Sequence, residues 1–148
     1  MARKQDWTPR EDAESREERD RERSYREWMR AHGITMEAER AAGNPFVPRG
    51  WDRDLIHWKI TLHKGRETFV TYFSQGARYR EAPASHQVLG TLASTAVDVL
   101  QDFEGWASIY GYDLASREAH ETWEALVRDA KRLKRFLGAD LFRQLLSL

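Results

Sequence analysis

Apolar and polar residues alternate through two neighbouring stretches of the chain, LIHWKITLH and RETFVTYFSQ. Alternation with a period of two is typical of strands that bury one face, and the short separation predicts an antiparallel hairpin. If Lys64-Gly65 forms a two-residue turn, Ile60 pairs with Phe69. This register brings large apolar residues to one face of the hairpin, namely Ile56, Trp58, Ile60, Phe69 and Phe73.

Three later stretches repeat apolar residues every three or four positions, which predicts amphipathic helices. The first begins at a Ser85 cap and bends near Asp102, the second runs from Ser116 to Leu137, and the last covers 140–148. Two strands alone are only marginally stable, so these helices must pack on the apolar face of the hairpin. The sequence therefore predicts an α+β fold, with a small antiparallel sheet packed against C-terminal helices.

The segment between the N-terminal region and the hairpin predicts a short helix followed by a loop. Thr35 is a suitable cap for MEAERAA, and Gly43-Asn44 ends that helix. Prolines and glycine then indicate a loop, which apolar residues attach to the core. Residues 46–51 of this loop are placed to add a short third strand to the sheet.

The N-terminal residues predict a long charged helix that stands apart from the core. Thr8 can cap it, Pro9 suits its first turn, and opposite charges recur four residues apart. Few of its first residues are apolar, so this part has no face to bury. Its anchor is expected near its end, at Tyr25, Trp28 and Met29. We therefore expect a charged helical arm of residues 1–33 and a single α+β domain of residues 34–148.

Composition narrows the class of protein. The chain has 148 residues, which fits one domain with an extension, and it has no cysteine, which excludes disulfides, a thiol nucleophile and thiolate zinc ligands. Its 24 basic and 24 acidic residues argue against a protein that binds nucleic-acid phosphates over its whole surface. No apolar run is long enough to span a membrane, and the N-terminus lacks a signal-peptide core. We expect a soluble cytoplasmic protein without a membrane partner.

The sequence contains no familiar catalytic or metal-binding pattern. His120 begins HETWE on a predicted helix, but Glu124 occupies the place of the second zinc-binding histidine. His57 and His63 lie roughly 20 Å apart along one strand, too far to share a metal ion. No carboxylate lies in an apolar pattern that predicts a buried acid, and nucleophile and phosphate-loop motifs are absent. We therefore expect no catalytic residue, metal or cofactor, and predict that the protein is not an enzyme.

Two segments offer residues that suit contact with a protein partner. Residues 78–80 stand at the tip of a predicted loop, and their types, Arg and Tyr, are enriched at binding hot spots. A solvated loop is the alternative. In the turn of residues 110–113 and just after it, Gly111 and a helix cap explain most of the pattern. Tyr112 and Arg117 are left without a structural role. The partner-binding candidates are thus Arg78, Tyr79, Arg80, Tyr112 and Arg117.

Charge is distributed unevenly along the helix of residues 116–137, which begins acidic and ends basic. This order complements the helix dipole and needs no ligand. Alternatively, the basic end contacts nucleic acid or an acidic partner, while the acidic region contacts a basic surface. The candidates for nucleic-acid binding are Arg128, Lys131, Arg132, Lys134 and Arg135.

Four segments follow one another along the chain: WKITLHKGRETFVTYF, HQVLGTLASTAVDVL, FEGWASIYGYDLASREA and RFLGADLF. As an ordered set they resemble small, largely uncharacterised accessory proteins of tailed phages and prophages. Those proteins similarly combine a W-x-[IV]-T-L hairpin, helices, a GYD-x-x-SR-x-A turn and an FLG segment. The resemblance covers about residues 56–146. The matching positions are Trp58, Thr61, Leu62, Trp106, Gly111, Tyr112, Asp113, Ser116, Arg117 and Ala119.

The resemblance implies a phage-derived protein that acts in the cytoplasm of a bacterial host. Small proteins of that class often bind and disable a host machine, including restriction and CRISPR systems. We therefore expect non-catalytic binding that inhibits or modulates a host protein or nucleoprotein complex, and a CRISPR effector is its sharpest form. The alternative is an accessory protein that binds nucleic acid through the basic helix end, residues 128–135.

Overall fold

A computed structural model describes residues 9–48 and 54–148, with side chains described from Ser15 onward. Within these residues the chain forms a three-stranded antiparallel sheet and five helices, so the predicted α+β class is confirmed. None of the described helices has both the length and the apolar composition that a membrane crossing requires. In chain order the elements are α1 (Pro9–Ala31), β1 (Ile34–Ala41), β2 (Leu55–Lys64), β3 (Glu67–Gly76), α2 (Ser85–Gln101), α3 (Phe103–Tyr110), α4 (Arg117–Leu137) and α5 (Ala139–Leu146).

The segment that begins at Thr35 forms strand β1, so the prediction of a short second helix is wrong. β1 is an edge strand that pairs antiparallel with β2, and Ala38 lies opposite Ile60. Its sequence ITMEAERA also alternates, and Ile34 is buried while the glutamates are exposed. Pairing with β2 and burial of this apolar face outweigh the helix preference of Met, Glu, Ala and Arg in this segment.

The predicted third strand at residues 46–51 is not formed by its described part, residues 46–48, which continue a turn. The remaining residues of that prediction, 49–51, lie outside the described residues. The turn is closed by a hydrogen bond from the Val47 amide to the Asn44 carbonyl at 3.1 Å. Asn44 also donates from Nδ2 to the Ser74 hydroxyl at 2.9 Å, which attaches the loop to β3.

The hairpin of β2 and β3 forms with a register that differs from the predicted one by two residues. Lys64 pairs with Glu67, so the turn residues are Gly65 and Arg66, and Phe69 pairs with Leu62 rather than Ile60. Gly65 has a φ of 62°, which suits the first turn position of a type II′ hairpin. Because a shift of two residues preserves the face on which each side chain lies, the predicted apolar face is correct.

The helices cover the apolar face of the sheet and build one core. α2 packs against α4, and both contribute buried residues, as do the ends of α1 and α5. The predicted anchor of α1 is confirmed, since Tyr25, Trp28 and Met29 are buried. Trp28 Nε1 also donates to Gln144 Oε1 on α5 at 2.9 Å. The last turns of α1 are thus part of the core, whereas residues 16–21 are exposed.

The later helices begin and end close to their predicted limits. Asp102 separates α2 from α3 in an extended conformation, and its side chain caps α3 by accepting from the Gly105 amide. Ser116 caps α4 by accepting from the Ala119 amide at 3.3 Å. Gly111 ends α3 with a φ of 74°, a left-handed conformation that glycine adopts without steric penalty.

Candidate functional site

A cavity of about 410 Å³ lies between β3, α2, α3 and α4, and the loop of residues 44–48 contributes to its wall. Apolar side chains form most of this wall, and the described lining residues also include seven hydroxyl groups, one amide and one carboxylate. Small-molecule sites in proteins typically measure about 300–1,000 Å³ and have this mixture of groups. The cavity therefore has the size and the lining of a ligand-binding site.

Small residues on α2 explain why space remains beneath the helix. Thr91, Thr95 and Ala96 line the cavity from α2, and their short side chains fill little of it. Trp106 of α3 is buried and its ring stacks on Tyr112, with 4.7 Å between the ring centroids. Protein interiors normally leave few voids larger than a water molecule. The cavity is therefore a specific feature of this fold.

The carboxylate in the wall belongs to Asp129 of α4, which keeps only 6% of its exposure. Thr71 Oγ1 donates to its Oδ2 at 2.8 Å, and Arg132 Nη1 donates to its Oδ1 at 3.0 Å. Burial raises the pKa of Asp129, although the Thr71 hydroxyl and the Arg132 charge act in the opposite direction. The expectation that no carboxylate lies in an apolar setting is thus wrong.

Arg132 is held in place by contacts with β3 as well as with Asp129. Its Nη2 donates to the Val70 carbonyl at 3.0 Å, and its guanidinium lies 5.2 Å from the centroid of the Phe69 ring. Arg132 is not among the residues that line the cavity. The cavity wall therefore contains the carboxylate without its cationic partner.

Two tyrosines connect the cavity with the turn after α3. The Tyr110 hydroxyl donates to Asp98 Oδ2 on α2 at 3.1 Å, and burial raises the pKa of this phenol. Burial likewise raises the pKa of Tyr112, whose ring lines the cavity. Tyr112 is therefore a half-buried wall residue, and its stacking on Trp106 gives it a structural role that the sequence did not reveal.

The other predicted partner residues occupy separate places on the molecule. Arg78 and Tyr79 are exposed, and the Arg78 guanidinium both lies 4.8 Å from the Tyr79 ring centroid and donates to its hydroxyl at 2.7 Å. Arg80 is also exposed at this loop. Arg117, the first residue of α4, is exposed beside the 44–48 loop. The structure thus shows an exposed loop tip at residues 78–80 but does not place Tyr112 on a common surface with it.

The basic end of α4 is used in part by the fold. Arg128, Lys131 and Arg135 are exposed, whereas Arg132 binds Asp129 and the Val70 carbonyl. Lys134 Nζ lies 5.5 Å from the centroid of the Phe142 ring. Within the described structure, the other three predicted nucleic-acid residues make no tertiary contact of this kind. These three residues, Arg128, Lys131 and Arg135, form a small basic patch.

A second surface feature lies where α2 and α3 meet. Five large apolar residues are exposed between residues 97 and 114, on α2, α3 and the turn after α3, and the bond between Tyr110 and Asp98 holds the end of α3 alongside α2. Exposure reaches 64% at Ile109. We call this the α2–α3 surface, and it consists of Val97, Leu100, Ile109, Tyr110 and Leu114.

The described histidines are occupied by local contacts. His57 Nδ1 lies 2.6 Å from the Ser74 hydroxyl, and His63 Nε2 lies 3.3 Å from Glu37. His120 stacks on Phe103, with 3.9 Å between the ring centroids. In the part of the chain that the structure describes, no three His, Cys, Asp or Glu residues converge as a metal site.

Asp129 and Thr71 were not anticipated as site residues, although the sequence carries a signal for one of them. Asp129 lies three residues after Leu126 and four before Leu133, so helical spacing places it on the apolar face of α4. A carboxylate at such a position indicates a buried acid. The signal for Thr71 is weaker, because it depends on the alternation along β3.

The chain matches no protein-family profile, no curated protein and no solved structure. What the site does must therefore follow from its geometry, its charges and the chemistry of its side chains.

Proposed function

We propose that this protein is not an enzyme but binds a host protein or nucleoprotein complex through the α2–α3 surface and thereby inhibits or modulates it. The observation that supports this is the exposure of five large apolar side chains within residues 97–114. The resemblance to phage accessory proteins supplies the setting, an anti-defence role in a bacterial cytoplasm, with a CRISPR effector as the sharpest form of the partner. The mechanism is steric occupation of a functional surface.

The apolar residues supply the main contact area. Single exposed apolar residues are ordinary on a protein surface, but a concentration of them is typical of a binding site. Ile109 and Leu114 are the most exposed of the five, at 64% and 46%. Burying them against a partner would yield about 25 cal/mol for each Å² removed from water.

The charges around the α2–α3 surface define the chemistry of the partner. Residues 97–114, which include this surface, contain four acidic residues and no lysine or arginine. Asp102, Glu104 and Asp113 are exposed on or beside α3. Because opposite potentials favour association and like charges oppose it, the partner should present an apolar centre within a basic surface.

The test is isolation of the partner from a bacterial host lysate, followed by affinity measurement with the purified partner. The double variant Ile109→Ser/Leu114→Ser should weaken binding about 10-fold or more, as expected when central apolar contacts are removed. The control Leu146→Ser/Leu148→Ser removes residues that are similarly exposed, at 45% and 42%, but lie at the end of the chain. It should leave the affinity unchanged.

Equal loss of affinity in both variants, or none in either, would contradict the role of the α2–α3 surface. Nucleic-acid binding is a separate outcome of the same work. It would appear as affinity for DNA or RNA that falls steeply with salt and is lost in Arg128→Glu/Arg135→Glu, because counterions are released when phosphates are neutralised. That result would replace the protein-binding proposal with the nucleic-acid alternative.

A further inference from the structure

We propose that the cavity beside Asp129 binds a small aromatic amine, a compact ligand with one ring and a protonated amino group. This proposal does not rest on the proposed function, although Tyr110 belongs both to the cavity lining and to the α2–α3 surface. The inference rests on the shape of the cavity, on the residues that surround it and on the single formal charge that its described wall contains.

The ring of the ligand is matched by the aromatic residues of the wall. Phe73 lines the cavity from β3, Trp106 from α3 and Tyr112 from the turn after α3, and Phe46 adds a further ring from the 44–48 loop. Aromatic rings attract one another in offset and edge-to-face arrangements, and their faces attract cations. A cavity of about 410 Å³ accommodates a ring with a short side chain.

The amino group of the ligand is matched by Asp129. Of the described residues that line the cavity, Asp129 alone has a formally charged side chain, and Arg132 lies outside the lining. An ionised carboxylate offers about four acceptor sites, whereas two donors from the described residues reach Asp129, Thr71 and Arg132. The wall therefore presents an acceptor with unused capacity, which favours a cation and opposes an anion.

The cavity also offers a route from solvent to this carboxylate. Thr91 and Tyr110 are exposed lining residues, while Ala96 and Leu133 line the same cavity from the buried core. A ligand that enters beside Thr91 would direct its amino group to Asp129 and its ring to the aromatic wall, since all of these residues line the same cavity. Arg132 and Thr71 each donate one hydrogen bond to this carboxylate, so the amino group would use the acceptor sites that they leave.

Three matched probes test the site on the full-length protein: 2-phenylethylamine, its neutral analogue 2-phenylethanol and the anion phenylacetate. Titration calorimetry should give the order amine, alcohol, acid, with the amine at least about 10-fold tighter than the alcohol, as expected for a charge-assisted hydrogen bond. Amide chemical shifts of Thr71 and Ala130 should change on addition of the amine. No measurable binding of the amine, or equal affinity for all three probes, would overturn the proposal.

Two pairs of variants locate the binding. Asp129→Asn should reduce the preference for amine over alcohol by at least about 10-fold, whereas Asp140→Asn, from an exposed Asp–Arg pair with the same spacing, should leave it unchanged. Thr91→Trp should block all three probes, whereas Thr35→Trp, at an exposed threonine outside the cavity, should not. If Asp129→Asn fails to fold, the Thr91 pair decides, and amine binding that survives Thr91→Trp would contradict the proposal.

Discussion

Glu22 on α1 and Asp129 on α4 are both shielded carboxylates that bind an arginine of their own helix, yet their surroundings move their pKa values in opposite directions. Glu22 lies where α1 contacts the beginning of α2, and Asp129 lies in the cavity wall. The difference between these two sites shows how a structural acid can be told from an acid available to a ligand.

Glu22 is surrounded by donors. Its carboxylate accepts from the backbone amides of Ser85 and His86 at 3.2 and 2.8 Å, and from Arg26 Nε at 2.7 Å. The His86 Nδ1 atom also lies 3.0 Å from Glu22 Oε1. Burial alone would raise the pKa of Glu22, but these hydrogen bonds together outweigh it and lower the pKa. Glu22 thus lies on α1 but accepts hydrogen bonds from the first backbone amides of α2. It plays the part of a helix cap for α2.

Asp129 has fewer donors and deeper burial. The Thr71 hydroxyl and the Arg132 guanidinium do not compensate for the loss of water, so the pKa of Asp129 rises. A carboxylate with saturated hydrogen bonds stabilises the fold and has no capacity for a ligand. A buried carboxylate with fewer partners, facing a cavity, is the arrangement associated with functional sites.

Removal of the Glu22 carboxylate should give the largest effect on stability. Glu22→Ala leaves the Ser85 and His86 amides without this acceptor and breaks a charge-assisted contact between two helices. We expect a loss of about 2–4 kcal/mol in the free energy of unfolding, measured by urea denaturation. The control Glu27→Ala changes an exposed glutamate of the same helix and should cost about 0.5 kcal/mol or less. Similar losses of stability in both variants would contradict the special structural role of Glu22.

Replacement of Asp129 should give a smaller effect that depends on its partner. Asp129→Leu leaves the buried Thr71 hydroxyl without its acceptor and should cost about 1–3 kcal/mol in the free energy of unfolding. Thr71→Val/Asp129→Leu removes both groups and should recover most of that loss, since a buried polar pair is often replaceable by apolar residues. A double variant no more stable than the single one would show that the pair itself contributes net stability.

Stability should change with pH in opposite directions at Glu22 and Asp129. We expect this effect to be smaller than those of the two substitutions above. The pKa of Glu22 is lowered from 4.5 by folding, so its contribution is present above that pH and is lost as the pH falls. The pKa of Asp129 is raised from 3.8, so its contribution is greatest below that pH and is lost as the pH rises.

Free energies of unfolding between about pH 3 and pH 6 will show these signs when each variant is compared with the unmodified protein. The deficit of Glu22→Gln should shrink on acidification. Asp129→Asn should gain stability relative to the unmodified protein as the pH rises. If both differences move in the same direction, the opposite pKa shifts that distinguish the two sites would be contradicted.

Local sequence patterns predict much of the fold. Most of the fold predictions that are wrong concern which strands pair with each other, and in which register. The helices α2 to α5 were recognisable from their apolar spacing, but the N-cap of α2 is Ala84 rather than the predicted Ser85. The apolar face of the hairpin was correct even though its turn lies at Gly65-Arg66, because alternation specifies a face but not a pairing partner. Strand β1 was missed because its sequence suits both a helix and a strand, and only pairing with β2 decides between them.

The candidate site was far less predictable than the fold. An exposed loop tip at residues 78–80 was expected and is present, but Tyr112 proved to be a wall residue stacked on Trp106. Asp129 carried a helical-spacing signal, whereas its contact with Thr71 joins residues 58 positions apart in the chain. The cavity requires β3, α2, α3 and α4 together, so no single segment predicts it.

Periodicity, caps and charge balance are properties of neighbouring residues, and they were sufficient for the α+β class, the apolar faces and the buried end of α1. Strand pairing, the saturation of Glu22 by donors from α2 and the exposure of Asp129 to a cavity depend on contacts between distant segments. Their energies depend on how many donors reach each carboxylate and how much water is excluded. Only the packed tertiary structure decides those quantities.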